Sequence, residues 1–178
     1  MRKKAIIIIS VLVVVIISIS IYFIMKSNAI PNKTNSELLT LVTKTLTSSK
    51  IPKINVQEVA ANKDAYIFLD AREKEEYDVS HIENAIFIGA SEFNLASVDG
   101  VNKDDQLIVY CSVGVRSDEV TKKLIEAGYH NAQNLFGGIF EWINEGNNVY
   151  GVEGEKVDSV HAYSKFWGMF VHDINKVY

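Results

Sequence analysis

The sequence has one cysteine, two prolines and no excess of basic residues, and these shortages exclude several classes of protein. One cysteine cannot form an internal disulfide, so the chain does not depend on a disulfide framework. Four of the 18 Lys and Arg, and none of the 22 Asp and Glu, lie in the first 26 residues, so the rest of the chain has a net charge of 14 − 22 = −8. This balance argues against nucleic-acid binding and against a polybasic role at a membrane surface, because both need clustered positive charge.

The one long apolar run lies at the amino terminus. Residues 5–25 contain no charged side chain, are rich in Ile and Val, and follow Arg2, Lys3 and Lys4. A helix of that length crosses a hydrocarbon layer of about 30 Å, whereas the apolar core of a signal peptide is only about 7–15 residues long. We therefore expect a single-pass anchor, although residues 27–29 offer a small-x-small pattern that leaves cleavage open. The basic flank predicts a cytoplasmic amino terminus and an extracytoplasmic location for the rest of the chain.

Short apolar runs alternate with helical patterns after a polar linker. Strands are predicted over 54–56, 65–69, 85–88, 107–110 and 134–135, and helices over 36–46, 57–61, 73–77, 117–127 and 139–144. This alternation predicts an α/β fold with a mainly parallel sheet covered by helices on both faces, preceded by one transmembrane helix. The predicted divisions are a flank and anchor (1–26), a linker with a short helix (27–53), a core domain (54–146) and a tail (147–178). The tail has a helix-like aromatic pattern expected to pack on the domain, and its two histidines match no metal motif.

The single cysteine, Cys111, follows the apolar run 107–110 and precedes a glycine-containing turn and a helical pattern. The N–H groups of such a turn, the helix dipole and the charge of Arg116 all favour a thiolate at that point. A lone cysteine is more commonly a small buried side chain. Its position at a strand-to-helix turn favours a nucleophile instead.

Residues 54–146 resemble a single rhodanese domain. The resemblance is carried by an ordered set of short motifs, which are Asp70-Ala71-Arg72, Glu76-Tyr77, His81-Ile82, Ala85-Ile86, Cys111 to Ser117, and Gly137-Gly138-Ile139 with Trp142. Departures fall at turns: Ser80 replaces a usual Gly, and Glu83 and Asn84 replace a common Pro-Gly pair.

The resemblance implies a sulfurtransferase. Cys111 would take a sulfane sulfur from thiosulfate or a persulfide and pass it to a thiol or to cyanide, with no cofactor and no metal. The backbone N–H groups expected to hold the transferred sulfur belong to Ser112, Val113, Gly114, Val115 and Arg116. Arg116 is also expected to close the loop and to help bind an anionic donor. Ser112 replaces a frequent Arg or Lys, which makes thiosulfate a doubtful donor and leaves the donor open.

The length of the loop separates sulfur transfer from phosphate chemistry. Four residues lie between Cys111 and Arg116, whereas related phosphatases and arsenate reductases have a loop one residue longer, which accommodates a tetrahedral oxyanion. Ester hydrolysis is therefore disfavoured. A non-catalytic binding or thiol redox-sensing module on the same scaffold stays open as the alternative function.

Two further charged residues of the pattern are interpreted as structural support. Asp70 and Arg72 are predicted to form a buried ion pair or a capping network that holds the end of a strand near the loop. His81 is predicted to be a hydrogen-bonded structural residue and Trp142 a core residue.

Overall fold

A five-stranded parallel sheet forms the centre of the domain, as predicted. The structure is a computed structural model that describes residues 32–178, of which residues 36–178 form one compact unit. The sheet order is β1-β5-β4-β2-β3, and every pairing in it is parallel. The strands are β1 (Lys53–Ile54), β2 (Ile67–Asp70), β3 (Ile86–Phe87), β4 (Leu107–Tyr110) and β5 (Ala132–Leu135). Parallel strands need crossover connections, and the helical segments between them supply these.

Five α-helices accompany the sheet in the described residues. They are α1 (Asn32–Leu46), α2 (Val56–Ala60), α3 (Lys74–Val79), α4 (Val115–Glu126) and α5 (Gly138–Asn144), with 3₁₀ turns at Lys63–Ala65, Leu95–Val98 and Trp167–Phe170. Helix α1 begins four residues before the predicted start at residue 36. Residues 32–46 contain no glycine or proline, so the helix can extend back as far as Pro31.

Side chains of β4 alternate between two apolar cores, one on each face of the sheet. Ile108 and Tyr110 belong to the first core, with residues of α1, α2 and α5. Leu107 and Val109 belong to the second core, with residues of α4. All four side chains are fully buried, which is why this strand is a continuous apolar run rather than an alternating one.

The carboxyl-terminal tail is not the helix that its aromatic pattern suggested. It forms an antiparallel pair, β6 (Val149–Tyr150) with β7 (Lys156–Val157), and a parallel pair, β8 (Ser159–His161) with β9 (Asn175–Val177). Between β8 and β9, Trp167 and Phe170 lie in a single 3₁₀ turn that Phe166 precedes. The three rings pack against one another there without a longer helix. The tail adds five buried residues to the first core: Val149, Val160, Ala162, Phe170 and Val171.

The amide side chain of Asn144 fastens the tail to α5. Its Nδ2 donates to the Phe170 carbonyl at 2.8 Å, and its Oδ1 accepts from the His172 N–H at 2.9 Å. The segment around the 3₁₀ turn is therefore held in place by both polar and apolar contacts.

None of the helices within residues 32–178 is long and apolar enough to cross a bilayer. The predicted anchor at residues 5–25 lies outside the described residues.

Candidate active site around Cys111

Cys111 lies directly after β4, where the carboxyl ends of the parallel strands meet. The side chain is 1% exposed, and the short loop 111–114 leads into α4. Gly114 immediately precedes the helix with φ of +91°, a conformation that side chains with a Cβ rarely adopt. In that conformation its N–H donates to the Cys111 Sγ at 3.2 Å. The turn thus aims at least one backbone donor at the sulfur.

Four carbonyl groups of the loop accept hydrogen bonds from donors outside it. The pairs are Cys111 O with the Ile139 N–H at 2.9 Å, Ser112 O with the Phe140 N–H at 3.1 Å, Val113 O with the Thr43 hydroxyl at 3.1 Å, and Gly114 O with the Asn134 amide at 2.8 Å. In a trans peptide, a carbonyl and the N–H of the following residue point in opposite directions. Carbonyls held outward therefore turn the N–H groups of residues 112–115 toward the inside of the loop.

Gly138 allows this close approach of α5 to the loop. A Cβ on Gly138 would lie 2.3 Å from the Cys111 carbonyl oxygen and 2.8 Å from the Ser112 carbonyl carbon, and the residue has φ of +60°. Both contacts are with backbone atoms that cannot move aside without changing the loop. The glycine of the Gly137-Gly138 motif is therefore required by the packing against the cysteine loop.

Glu76 of α3 forms a hydrogen-bonded network with Arg116 and Ser112. The Arg116 guanidinium donates to both Glu76 carboxylate oxygens, at 2.6 and 2.9 Å, and to the Ser112 Oγ at 2.9 Å. The Ser112 hydroxyl in turn donates to Glu76 at 2.7 Å. Paired, bidentate geometry of this kind fixes a guanidinium in position. The network ties the loop to α3 at the side of Cys111.

The charges of this network stabilise one another. Burial alone would raise the pKa of Glu76, but the hydrogen bonds and charge of Arg116 outweigh it and lower the pKa to about 2. Burial likewise opposes the charge of Arg116, yet its hydrogen bonds to Glu76 and its electrostatic interactions with Cys111, Glu76 and Glu73 keep its pKa above the ordinary value. Glu76 and Arg116 are therefore both ionised at neutral pH.

The sequence alone does not identify Glu76 as a site residue, although it belongs to the Glu76-Tyr77 motif. The available local signal was its spacing from Glu73: the two residues form a reciprocal capping box at the start of α3, in which the Glu73 N–H donates to Glu76 at 3.0 Å. The Arg116 guanidinium also bonds Ser112, which lies in the loop, and its role in closing the loop stays a prediction. Its guanidinium is, however, already bound to a carboxylate, so it is a poor receptor for an anionic donor.

Asp70 and Arg72 form an ion pair with both side chains fully buried beside the loop. The Arg72 Nε lies 3.0 Å and its Nη2 2.6 Å from Asp70 carboxylate oxygens, and Nη2 also donates to the Ser80 carbonyl at 2.6 Å. Asp70 is the register partner of Tyr110 in β4, and Arg72 lies over the Tyr110 ring at 5.7 Å. The pair thus braces the strand that ends at Cys111.

His81 and Trp142 occupy structural positions. The His81 ring stacks on Tyr77 with centroids 4.0 Å apart, and its Nδ1 lies 3.1 Å from the Tyr77 carbonyl oxygen. Trp142 is buried in the first core, where its Nε1 donates to the Asn148 carbonyl at 2.9 Å.

A cavity of about 200 Å³ opens in front of Cys111. Its lining consists of Leu46, Cys111, Ser112, Val113, Val115, Arg116, Tyr163 and Trp167. Every predicted loop residue except Gly114 lines this cavity, together with side chains of α1 and of the tail that the sequence does not connect with the site. The tail therefore contributes to the surroundings of the thiol.

Residues 55–145 match the rhodanese-like domain family. The adenylyltransferase and sulfurtransferase UBA4 of Candida albicans is 33% identical over an alignment of 94 residues, which covers 49% of this chain and 22% of that protein. The thiosulfate sulfurtransferase GlpE of Coxiella burnetii is 28% identical over 93 residues, 52% of this chain and 85% of that protein. A crystal structure of a rhodanese-related protein from Thermoplasma volcanium has a TM-score of 0.50 and 34% identity, covering 55% of this chain and 96% of that one. The chain thus spans only about a quarter of the length of larger relatives such as UBA4. Through residues 55–145, this chain belongs to the rhodanese-like domain family.

Proposed function

We propose that this protein is a sulfurtransferase in which Cys111 carries sulfane sulfur as a persulfide. The observation that carries this proposal is the orientation of the loop. Its four carbonyl groups point outward to other donors, and the Gly114 N–H donates a hydrogen bond to the Cys111 Sγ. Inward N–H groups stabilise a thiolate and, one bond further out, a negatively charged terminal sulfur. The same arrangement serves both the nucleophile and the carried sulfur.

The transfer needs no external oxidant or reductant. The Cys111 thiolate attacks the outer sulfur of the donor, and the sulfur–sulfur bond of the donor breaks. Its electron pair leaves with sulfite if the donor is thiosulfate, or with a thiolate if the donor is an organic persulfide. An acceptor thiolate or cyanide then attacks the outer sulfur of the Cys111 persulfide, and the Cys111 thiolate leaves and is regenerated.

The relatives support this assignment by their named activities. UBA4 is named an adenylyltransferase and sulfurtransferase, and GlpE a thiosulfate sulfurtransferase. The match to GlpE extends over 85% of that protein, so a domain of this size is sufficient for such an activity in a relative.

The proposal includes a location for the domain. Residues 5–25 would anchor the chain in the cell membrane, with Arg2, Lys3 and Lys4 on the cytoplasmic side and the rhodanese-like domain outside. The test is digestion of a carboxyl-terminal tag by protease added to intact spheroplasts. Protection of the tag until the membrane is lysed would contradict this orientation.

Mass spectrometry of the intact protein tests the persulfide directly, because Cys111 is the only cysteine. After incubation with a sulfane-sulfur donor we expect a gain of about 32 Da that cyanide removes as thiocyanate, and no gain in Cys111→Ser. Cyanide reversal is the necessary control, because oxidation to a sulfinic acid adds nearly the same mass and is not reversed by cyanide. Sulfur transfer by Cys111→Ser at the parental rate would refute the mechanism, and irreversible oxidation alone would favour the redox-sensing alternative.

A further inference from the structure

We propose that Tyr163 and Trp167 of the tail are specificity-determining residues of the Cys111 cavity, and that they select a persulfide donor with an apolar organic group over the thiosulfate dianion. The inference rests on the proposed function, which it deepens by naming the class of donor. Both residues lie beyond the matched domain 55–145. The proposed selectivity therefore comes from residues outside the matched domain.

The lining of the cavity is mostly apolar. Five of its eight residues are Leu46, Val113, Val115, Tyr163 and Trp167, and the remaining three are Cys111, Ser112 and Arg116. An apolar substituent entering this space would lose water-exposed surface against aliphatic and aromatic side chains. Thiosulfate has no apolar surface to bury there.

The charge around the cavity does not favour a dianion. Arg116 is the single charged residue of the lining, and Glu76 already occupies its guanidinium through two hydrogen bonds. Glu73 lies 3.8 Å from the same guanidinium. Two carboxylates therefore face one cation, and a dianionic donor would have to compete with both.

Tyr163 is held over the cavity against its backbone preference. The residue is 58% exposed and has φ of +62°, which is uncommon for a bulky side chain. Its ring lies 5.6 Å from the Arg116 guanidinium carbon. A strained residue that faces a reactive group, rather than the core, is a candidate for a functional role.

The surrounding hydrogen bonds keep Tyr163 in that conformation. The Tyr163 N–H donates to the His161 ring at 3.2 Å, and the neighbouring Ala162 N–H donates to the Val177 carbonyl at 2.8 Å. The Ser164 N–H donates to the Ala162 carbonyl at 2.6 Å. These hydrogen bonds directly follow the β8–β9 pair and hold the backbone on both sides of Tyr163. The tail can therefore position the tyrosine ring although the ring is not buried.

The donor step follows the chemistry given above with an organic hydropersulfide, R–S–SH. The Cys111 thiolate attacks the terminal sulfur, the sulfur–sulfur bond breaks, and its electron pair leaves as R–S⁻ while Cys111 becomes Cys–S–SH. The group R lies against Tyr163 and Trp167 during the attack. The free energy of this contact lowers the barrier for apolar R groups only.

The test compares two donors with the same reactive bond, benzyl hydropersulfide and 4-carboxybenzyl hydropersulfide, with thiosulfate as a third. The full chain is placed in phosphatidylcholine nanodiscs, so that detergent cannot fill the cavity, and the rate of loading of Cys111 is followed by intact mass. We expect benzyl hydropersulfide to load wild-type Cys111 about tenfold faster than 4-carboxybenzyl hydropersulfide does. In Tyr163→Asn we expect this ratio of loading rates to be smaller by about threefold to tenfold. Asparagine tolerates positive φ, so this variant keeps the backbone of the tail.

Val152→Ala is the matched control, since Val152 is an exposed tail residue in the β6–β7 turn. We expect it to leave all three rates unchanged, and Trp167→Leu to act in the same direction as Tyr163→Asn. Thiosulfate loading as fast as benzyl hydropersulfide, or an unchanged ratio in Tyr163→Asn, would overturn the selectivity while leaving the persulfide mechanism intact. Failure of every donor to load Cys111 would overturn both.

Discussion

Replacement of Glu76 by glutamine tests how the cysteine loop is held. Glutamine keeps the shape of the side chain but removes its charge, so Arg116 loses its main counter-ion while its side chain remains only 28% exposed. Both carboxylate oxygens of Glu76 accept hydrogen bonds, from Arg116, Ser112 and the Glu73 N–H. In glutamine an NH₂ group replaces one of these oxygens, and this group would face other donors instead of accepting from them. Both changes destabilise the folded state.

The size of the effect follows from the pKa of Glu76. Its fall from 4.5 to about 2 on folding corresponds to about 3 kcal/mol of stabilisation at neutral pH. Because the folded pKa lies below the unfolded one, this contribution is complete above pH 4.5 and is lost as the pH falls toward 2. Glutamine resembles the protonated carboxyl, so the difference between parent and variant should shrink over the same range.

Urea unfolding at pH 7, 5, 4 and 3 measures this difference. We expect Glu76→Gln to lose about 3 kcal/mol at pH 7 and less than about half of that at pH 3. Glu75→Gln is the control, since Glu75 precedes it on the same helix and is exposed; it should cost less than about 0.5 kcal/mol. A loss below about 1 kcal/mol for Glu76→Gln at pH 7, or a loss that does not change with pH, would refute the ion-pair argument.

Two further substitutions address the backbone contact of the loop and its buried brace. Gly138→Ala should lower the free energy of unfolding by at least about 2 kcal/mol more than Gly146→Ala, because both glycines have positive φ but only Gly138 meets the backbone of the Cys111 loop. Equal urea midpoints for the two variants would show that the close approach is unimportant. Asp70→Asn should cost about 3–5 kcal/mol in the same assay, since it leaves the Arg72 charge buried without its counter-ion. A cost near zero would refute the expectation that the buried Arg72 charge depends on Asp70 as its counter-ion.

The elements that carry the thiol were predictable because their signals are local. The apolar run Leu107–Tyr110 forms β4 with the predicted bounds, and α4 begins two residues before its predicted start. Continuous apolar runs indicate strands buried on both faces, and the glycine before α4 indicates the turn with positive φ. Asn84, at a usual glycine position, has φ of +59°, a value that asparagine tolerates.

The side chains that complete the site were not predictable, because their contacts are distant in sequence. Glu76 and Arg116 are 40 residues apart, and Thr43 and Val113 are 70 apart. No periodicity or spacing connects such pairs, since they meet only after the sheet has brought its carboxyl ends together. The helix that the tail pattern predicts is wrong for a related reason: aromatic residues at helical spacing also fit a single 3₁₀ turn in which their rings pack together.

The loop motif is therefore necessary for the proposed chemistry but does not define it alone. The Gly114 N–H that bonds the sulfur belongs to the loop, yet the loop carbonyls are held by donors from α1, β5 and α5, which set the direction of its peptide groups. Thr43, one of these donors, lies outside the matched domain 55–145, as do three of the eight residues that line the cavity. A change in α1 or the tail can thus alter the donor that reaches Cys111 while the motif stays intact. Relatives that share the loop but not these flanking segments are expected to share the persulfide chemistry and to differ in the sulfur compounds they accept.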